Sequence, residues 1–207
     1  EQIEVMKGPQ GALYGRNAIG GAITVTTKEP TDQLEGKFRV GADSGDGYNL
    51  QGVISGPVGE SDTLKYRAAV THKNTDGFLD NTYLGQTADP FEDTSVRFRL
   101  LWDPSDTFRA DARFYSSELE GGALYYNIRS PNPEPFPGAP LSLGHGAGDP
   151  DSVNDTSLDI RTNNSGSNER DLMNLSLKMD WELENGTFTS ISSYDTMEEV
   201  LTGDAFD

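Results

Sequence analysis

Apolar and polar residues alternate with a period of two along most of the 207-residue chain, and almost nowhere with the 3.6-residue period of a helix. Successive side chains of a strand point to opposite faces, so this pattern dictates sheets with one apolar and one polar side. In DLMNLSLKMDWELE, Met173, Leu175, Leu177, Met179, Trp181 and Leu183 share one face, and Asn174, Ser176, Lys178, Asp180 and Glu182 the other. TSVRFRLLWDP sets Val96, Phe98, Leu100 and Trp102 against Arg97, Arg99 and Asp103. FRADARFY sets Phe108, Ala110, Ala112 and Phe114 against Arg109, Asp111 and Arg113, and LKYRAAVT sets Leu64, Tyr66, Ala68 and Val70 against Lys65, Arg67 and Thr71. GKFRVGAD and YNLQGVISGPV repeat the pattern more weakly, while TFTSISSYDT near 187–196 is a strand by its β-formers with no assignable faces.

The connections also carry a pattern. GPVGESD, DPSD and ENG are short; 76–93 and 119–170 are long. Short turns therefore gather at one end of the strands and long loops at the other, which is the asymmetry of a transmembrane β-barrel wall. The competing fold is a soluble antiparallel sandwich, whose apolar face is a core and whose charged face is wet. Charge on the polar face of strand after strand favours the barrel. So do Trp102, Phe108, Trp181 and Phe188 beside the short turns, where an interfacial aromatic girdle belongs.

Composition narrows the chemistry. A net charge of −18 argues against a nucleic-acid partner, since affinity for phosphate backbones comes from Lys and Arg. Without cysteine there is neither a disulfide framework nor a thiolate metal site. No metal site, cofactor or catalytic residue is expected: His72 and His145 are far apart, and the acidic stretch GDPDSVNDTSLD lacks the glycine and final glutamate of an EF-hand. The reading is of a non-enzyme. No apolar run reaches the ~20 residues of a membrane helix. The chain starts inside an apolar alternation, without initiator methionine or signal sequence, and is expected to be an internal piece of a longer protein.

One segment breaks the alternation. VMKGPQGALYGRNAIGG places Gly8, Pro9, Gly11, Gly15, Gly20 and Gly21 around a single arginine, Arg16. It lacks the GK[ST] of a phosphate loop and the GxGxxG of a dinucleotide site, so its glycines are read as turn makers that allow close packing. Together with its flanks, IEVMKGPQGALYGRNAIGGAITVTTKEP resembles the end of the plug domain of TonB-dependent outer membrane receptors. The likeness extends through SGPVGESDTLKYRAAV, which is similar to the family's second strand, first periplasmic turn and third strand.

The resemblance implies an all-β protein: a partial transmembrane antiparallel β-barrel of about the first seven strands, from a wall of about 22, preceded by the C-terminal part of a plug domain. Residues 1–30 would end the plug, and 35–207 would begin the wall, with long extracellular loops near 76–93 and 119–170. The implied location is the bacterial cell outer membrane. The implied function is TonB-dependent active import of a scarce solute, with ferric siderophores the default cargo and vitamin B12, carbohydrate or another nutrient as alternatives. A non-transporting adhesin and a passive porin are the rivals from other classes, and neither needs a plug. Partners would be the TonB energy-coupling complex, outer membrane lipid and a small-molecule or metal-chelate substrate, around a monomeric complete receptor. An open sheet of seven strands is not expected to transport alone.

The same resemblance implies that Arg16 holds the plug against glutamates of the inner wall, with Gly8, Pro9, Gly15, Gly20 and Gly21 shaping the plug-to-barrel contact. On the long loop, Tyr125, Tyr126, Arg129 and Phe136 stand among stiffening prolines and suit ligand capture; an ordinary surface loop is the alternative. The inward cations Lys65, Arg67, Arg97, Arg99, Arg109, Arg113 and Lys178 are expected to be solvated or paired with Asp43, Asp111, Asp180 and Glu182. Nothing in the residue pattern selects which of them meets the plug.

Overall fold

A computed structural model describes residues 2–14, 18–123 and 163–203. β1 (Gln2–Lys7) and β2 (Gly21–Thr26) pair as an antiparallel hairpin, and the four-residue helix α1 (Gly11–Tyr14) lies in their connection. The main sheet begins with β3 (Glu35–Ala42), β4 (Tyr48–Pro57) and β5 (Leu64–Thr75). A minor hairpin of β6 (Asp80–Asn81) and β7 (Gln86–Thr87) intervenes. The sheet then continues through β8 (Phe91–Ser105), β9 (Phe108–Gly121), β10 (Ser167–Leu183) and β11 (Gly186–Thr202). Its seven strands lie in chain order apart from the small hairpin, every neighbour antiparallel.

Register joins the separate alternations into two continuous faces. Ile54 sits opposite Ala68, Ala68 opposite Phe98, Phe98 opposite Phe114, Phe114 opposite Leu175 and Leu175 opposite Tyr194. The pairing also settles β11, where Phe188, Ser190, Ser192 and Tyr194 belong to the apolar side and Thr189, Ile191 and Asp195 to the polar one.

Burial is inverted relative to a soluble protein. Phe38 and Val40 on the apolar face are 70% and 66% exposed, whereas Arg99 and Asp111 on the polar face are each 6% exposed. Sandwich packing would hide the first pair and wet the second. A lipid-facing exterior and a covered interior account for both.

The apolar band also shifts along the strands. One row of opposed residues runs Val40, Leu50, His72, Thr94, Glu118, Asp171, Glu198, passing from apolar to acidic as it crosses the sheet. Strands of a membrane barrel tilt by about 35–45°, so a row perpendicular to them climbs out of the hydrocarbon. At the opposite margin the four expected aromatics form a chain of ring contacts: Trp102 to Phe108 at 5.8 Å, Phe108 to Trp181 at 5.1 Å and Trp181 to Phe188 at 5.5 Å.

Several boundaries differ from the sequence reading. β8 starts at Phe91 and β9 persists to Gly121, directly opposite it, so the strands run into the ends of both expected long loops. DPSD is not wholly a turn: Pro104 falls within a register shift between Trp102 and Ser105, a bulge that tolerates its missing N–H. The connection at 76–90 is itself folded. Asp89 Oδ1 accepts the N–H groups of Phe78 and Leu79 at 2.9 and 2.7 Å, and the Thr75 hydroxyl donates to Gly45 O at 3.1 Å, tying this loop to the β3–β4 hairpin.

Adjacent alanines test the two faces. In the complete protein folded in phospholipid vesicles, Ala68→Arg should cost about 2–4 kcal/mol by denaturant unfolding, since it sets a charge mid-band in lipid. Ala69→Arg, on the covered side, should cost at most about 1 kcal/mol. Equal costs would contradict a single lipid-facing side.

Candidate functional site

After β2 the chain crosses the polar face of the sheet before it enters β3, and this crossing builds the most connected site among the described residues. Glu29 precedes Pro30, a placement that biases Glu29 toward extended backbone. Pro30 itself is buried. Thr31 N donates to Ser55 Oγ at 3.0 Å, and the fully buried Ser55 donates onward to Tyr66 O at 3.2 Å. Asp32 pairs with Lys65. A Cβ on Gly56 would fall 2.9 Å from Leu34 Cα, so only glycine lets the two backbones lie this close.

Arg99 is the hub. Its guanidinium grips Asp111 with two bonds, Nε to Oδ1 at 3.0 Å and Nη2 to Oδ2 at 2.9 Å. Nη2 also donates to Glu29 Oε1 at 2.8 Å, and Nη1 to Lys28 O at 3.3 Å. Arg109 Nη2 reaches both Glu29 oxygens at 3.0 Å, and Arg113 Nη2 reaches Asp111 Oδ2 at 2.6 Å. A buried ion pair is sustainable only when its remaining donors and acceptors are satisfied, which the Lys28 carbonyl and Glu29 do here. Partial burial of Glu29 opposes its ionisation, but the hydrogen bonds and charges of Arg109 and Arg99 prevail and hold its carboxyl below the ordinary 4.5.

The inward cations thus find partners the alternation did not show. Of the carboxylates expected to pair with them, Asp111 does so across the strands, Asp180 takes Lys178 from its own strand at 2.9 Å, and Asp43 accepts the Gly45 N–H in the β3–β4 hairpin. Glu29, Asp32 and Asp103, the last 3.7 Å from Arg109 Nε, are partners that sequence reasoning missed. For Glu29 and Asp32 the visible signal was a charged KEPTD stretch directly after a strand, whose targets lie far along the chain.

The glycine run serves its own hairpin. Gly8 N donates to Gly20 O at 3.3 Å and Gln10 N to Ala18 O at 2.7 Å. A Cβ on Gly21, where φ is +143°, would meet Met6 O at 2.4 Å. No heavy atom lies within 4 Å of where a Cβ would stand on Gly8 or Gly20, and Pro9 is exposed. Gly8, Pro9, Gly20 and Gly21 therefore shape the turn, and the described contact with the wall is made by residues 28–33. Gly15, Arg16, Tyr125, Tyr126, Arg129, Phe136 and His145 lie outside the described residues.

His72 bonds Tyr48 Oη at 3.2 Å and Thr94 Oγ1 at 2.9 Å on the apolar face. Among the described residues, no group of three His, Asp or Glu side chains is placed to hold a metal ion.

No family model matches the chain. Its relatives include several bacterial receptors. The ferripyoverdine receptor of Pseudomonas aeruginosa is 33% identical over 81 residues, which is 39% of this chain and 10% of that protein. The ferric enterobactin receptor PirA of the same species is 38% identical over 96 residues, 44% of this chain and 13% of the relative. The ferrioxamine receptor of Yersinia enterocolitica is 30% identical over 135 residues, 59% of this chain and 19% of the relative. The chain thus spans at most about a fifth of these relatives.

Solved structures agree on the fold. The FpvAI–pyocin S2 complex superposes with a TM-score of 0.72 at 18% identity, over 93% of this chain and 24% of the other. The ferric yersiniabactin uptake receptor FyuA of Yersinia pestis gives 0.71 at 17% identity, over 96% and 28%. The chain is a partial antiparallel β-barrel wall preceded by plug-like structure, and its resemblance to TonB-dependent receptors holds.

Arg99→Ala should cost about 1.5–3 kcal/mol, because it takes two bonds from the buried Asp111 and leaves that carboxylate to Arg113 alone. Glu29→Gln should cost about 1 kcal/mol or less, its carboxylate being half exposed. A carboxyl whose folded pKa is lowered stabilises above its unfolded value and ceases to do so as pH falls through the folded one. The tie of residues 28–33 should therefore hold above pH ~4.5 and loosen below it. Limited proteolysis at Lys28 against pH should show this step in the complete protein and lose it in Glu29→Gln.

Proposed function

We propose that this chain forms the end of the plug and the first wall strands of a receptor in the bacterial outer membrane, which imports a scarce solute with energy from the TonB complex. The observation that carries the reading is the crossing of residues 28–33 from the glycine-rich hairpin onto the covered face, where Arg99 and Arg109 from two strands hold Glu29. An adhesin or a passive porin has no use for a segment anchored in its lumen. A ferric siderophore is the favoured cargo, supported by the ferripyoverdine, ferric enterobactin and ferrioxamine receptors among the relatives. Vitamin B12, carbohydrate or another nutrient is the alternative within the class.

The geometry gives each part a task. The lipid-facing aromatics seat the wall, and the backbone ladder makes it rigid. The Glu29 node fixes where the plug ends, so a pull on the plug from the coupling complex would work against an anchored terminus. Arg16 would act as a separate lock toward inner-wall glutamates, Gly15 would belong to its turn, and Tyr125, Tyr126, Arg129 and Phe136 would serve ligand capture on the outer loop.

Deletion of the complete gene should abolish growth on at least one ferric chelate under iron limitation, with recovery on complementation. Normal growth on every iron, vitamin and glycan source supplied would contradict the reading. Arg16→Ala in the complete receptor should raise leakage of small solutes or weaken coupling while leaving receptor abundance intact. Unchanged transport and leakage would remove Arg16 as a lock.

A further inference from the structure

Three arginines stand directly opposite one another on the covered face: Arg67 of β5, Arg99 of β8 and Arg113 of β9. Arg97 lies on the same face, two residues from Arg99 and diagonal to Arg67, opposite Ala69. Like charges facing across strands repel unless anions lie between them. Asp111, Glu29 and Asp103 together balance Arg99, Arg109 and Arg113. Among the described residues, neither Arg67 nor Arg97 makes a salt bridge. Arg97 instead rests on the ring of Tyr115, 5.0 Å from its centroid, which orients the guanidinium and leaves its N–H donors free.

Among the described residues, the positions directly opposite the pair carry no carboxylate. Arg67 faces Ser55 on one side and Arg99 on the other, and Arg97 faces Ala69 and Tyr115. In a chain of net charge −18, two uncompensated arginines on a water-accessible inner wall are a local reversal of sign. Planar guanidiniums with free forks suit carboxylate, phenolate and phosphate oxygens. A low-dielectric wall lined with one sign concentrates solutes of the other.

We propose that Arg67 and Arg97 form an anion-selective step on the inner wall, and that the imported solute is an anionic chelate that touches this step once the plug has moved. The inference rests on the import reading and narrows its substrate class. The step differs from the plug anchor, since Glu29 occupies Arg99 and Arg109 and leaves this pair open.

The test uses the complete receptor in its outer membrane, with iron-55 chelates as probes: a trianionic tris-catecholate, a neutral chelate and a cationic trishydroxamate. The wild type should import a chelate of negative net charge. The double variant Arg67→Gln/Arg97→Gln should lower that import at saturating chelate at least fivefold, with cell-surface affinity changed less than twofold. Arg67→Lys/Arg97→Lys should keep most of the rate, which separates charge from loss of folding. Import of only a neutral or cationic chelate would overturn this inference alone, as would anionic import indifferent to the Gln pair, or a Lys pair as impaired as the Gln pair. No import of any probe or of other nutrients would fail the import reading itself.

Discussion

A backbone N–H or C=O left unpaired in hydrocarbon costs several kcal/mol, and every other feature of this wall follows from avoiding that cost. The answer here is a ladder in which seven antiparallel strands pair in sequence, with up to seventeen residues of register between β10 and β11. Once the ladder exists, alternation sorts side chains without further choice: what points one way meets lipid, and what points the other meets the lumen. Exposed Phe38 and Val40 beside buried Arg99 and Asp111 are a consequence of that sorting.

The covered face then faces a second electrostatic constraint. Arginines that alternate inward on adjacent strands become neighbours, and Arg67, Arg99 and Arg113 are stacked across β5, β8 and β9 by register alone. Asp111 offsets part of this charge, and Glu29 supplies more from outside the sheet. The plug-side linker is therefore part of the wall's charge balance. This couples two ends of the architecture: the segment that follows the glycine-rich hairpin is held by the same arginines whose repulsion it relieves.

Much of this was legible in the sequence where contrast between neighbouring residues was high. β8, β9 and β10 alternate large apolar with charged residues, so their faces, and the aromatic margin of Trp102, Phe108, Trp181 and Phe188, could be read directly. β11 could not, because Thr189, Ser190, Ser192 and Ser193 differ too little, and only pairing with β10 assigns them. The Glu29–Arg99 contact joins residues 70 apart, and no local pattern encodes which inward arginine a linker carboxylate will find. Asp43 misled for a related reason: on the inward face it suits a cation, yet its nearest donor is the Gly45 N–H of its own turn. Gly8, Gly20 and Gly21 stand at the turn of the first hairpin, while the described wall contact falls to residues 28–33.

The two-sided wall is open to a direct measurement, because these 207 residues contain no cysteine to compete with an introduced one. Single cysteines placed in turn along β8 at Val96, Arg97, Phe98, Leu100 and Leu101 of the complete protein, with any cysteine elsewhere in it replaced, can carry a fluorophore in lipid vesicles. Labels at Val96, Phe98 and Leu100 should be quenched by nitroxide lipids and not by aqueous iodide, and labels at Arg97 and Leu101 should escape the lipid quencher. Quenching without alternation, or lipid contact at Arg97 and Leu101, would contradict the account.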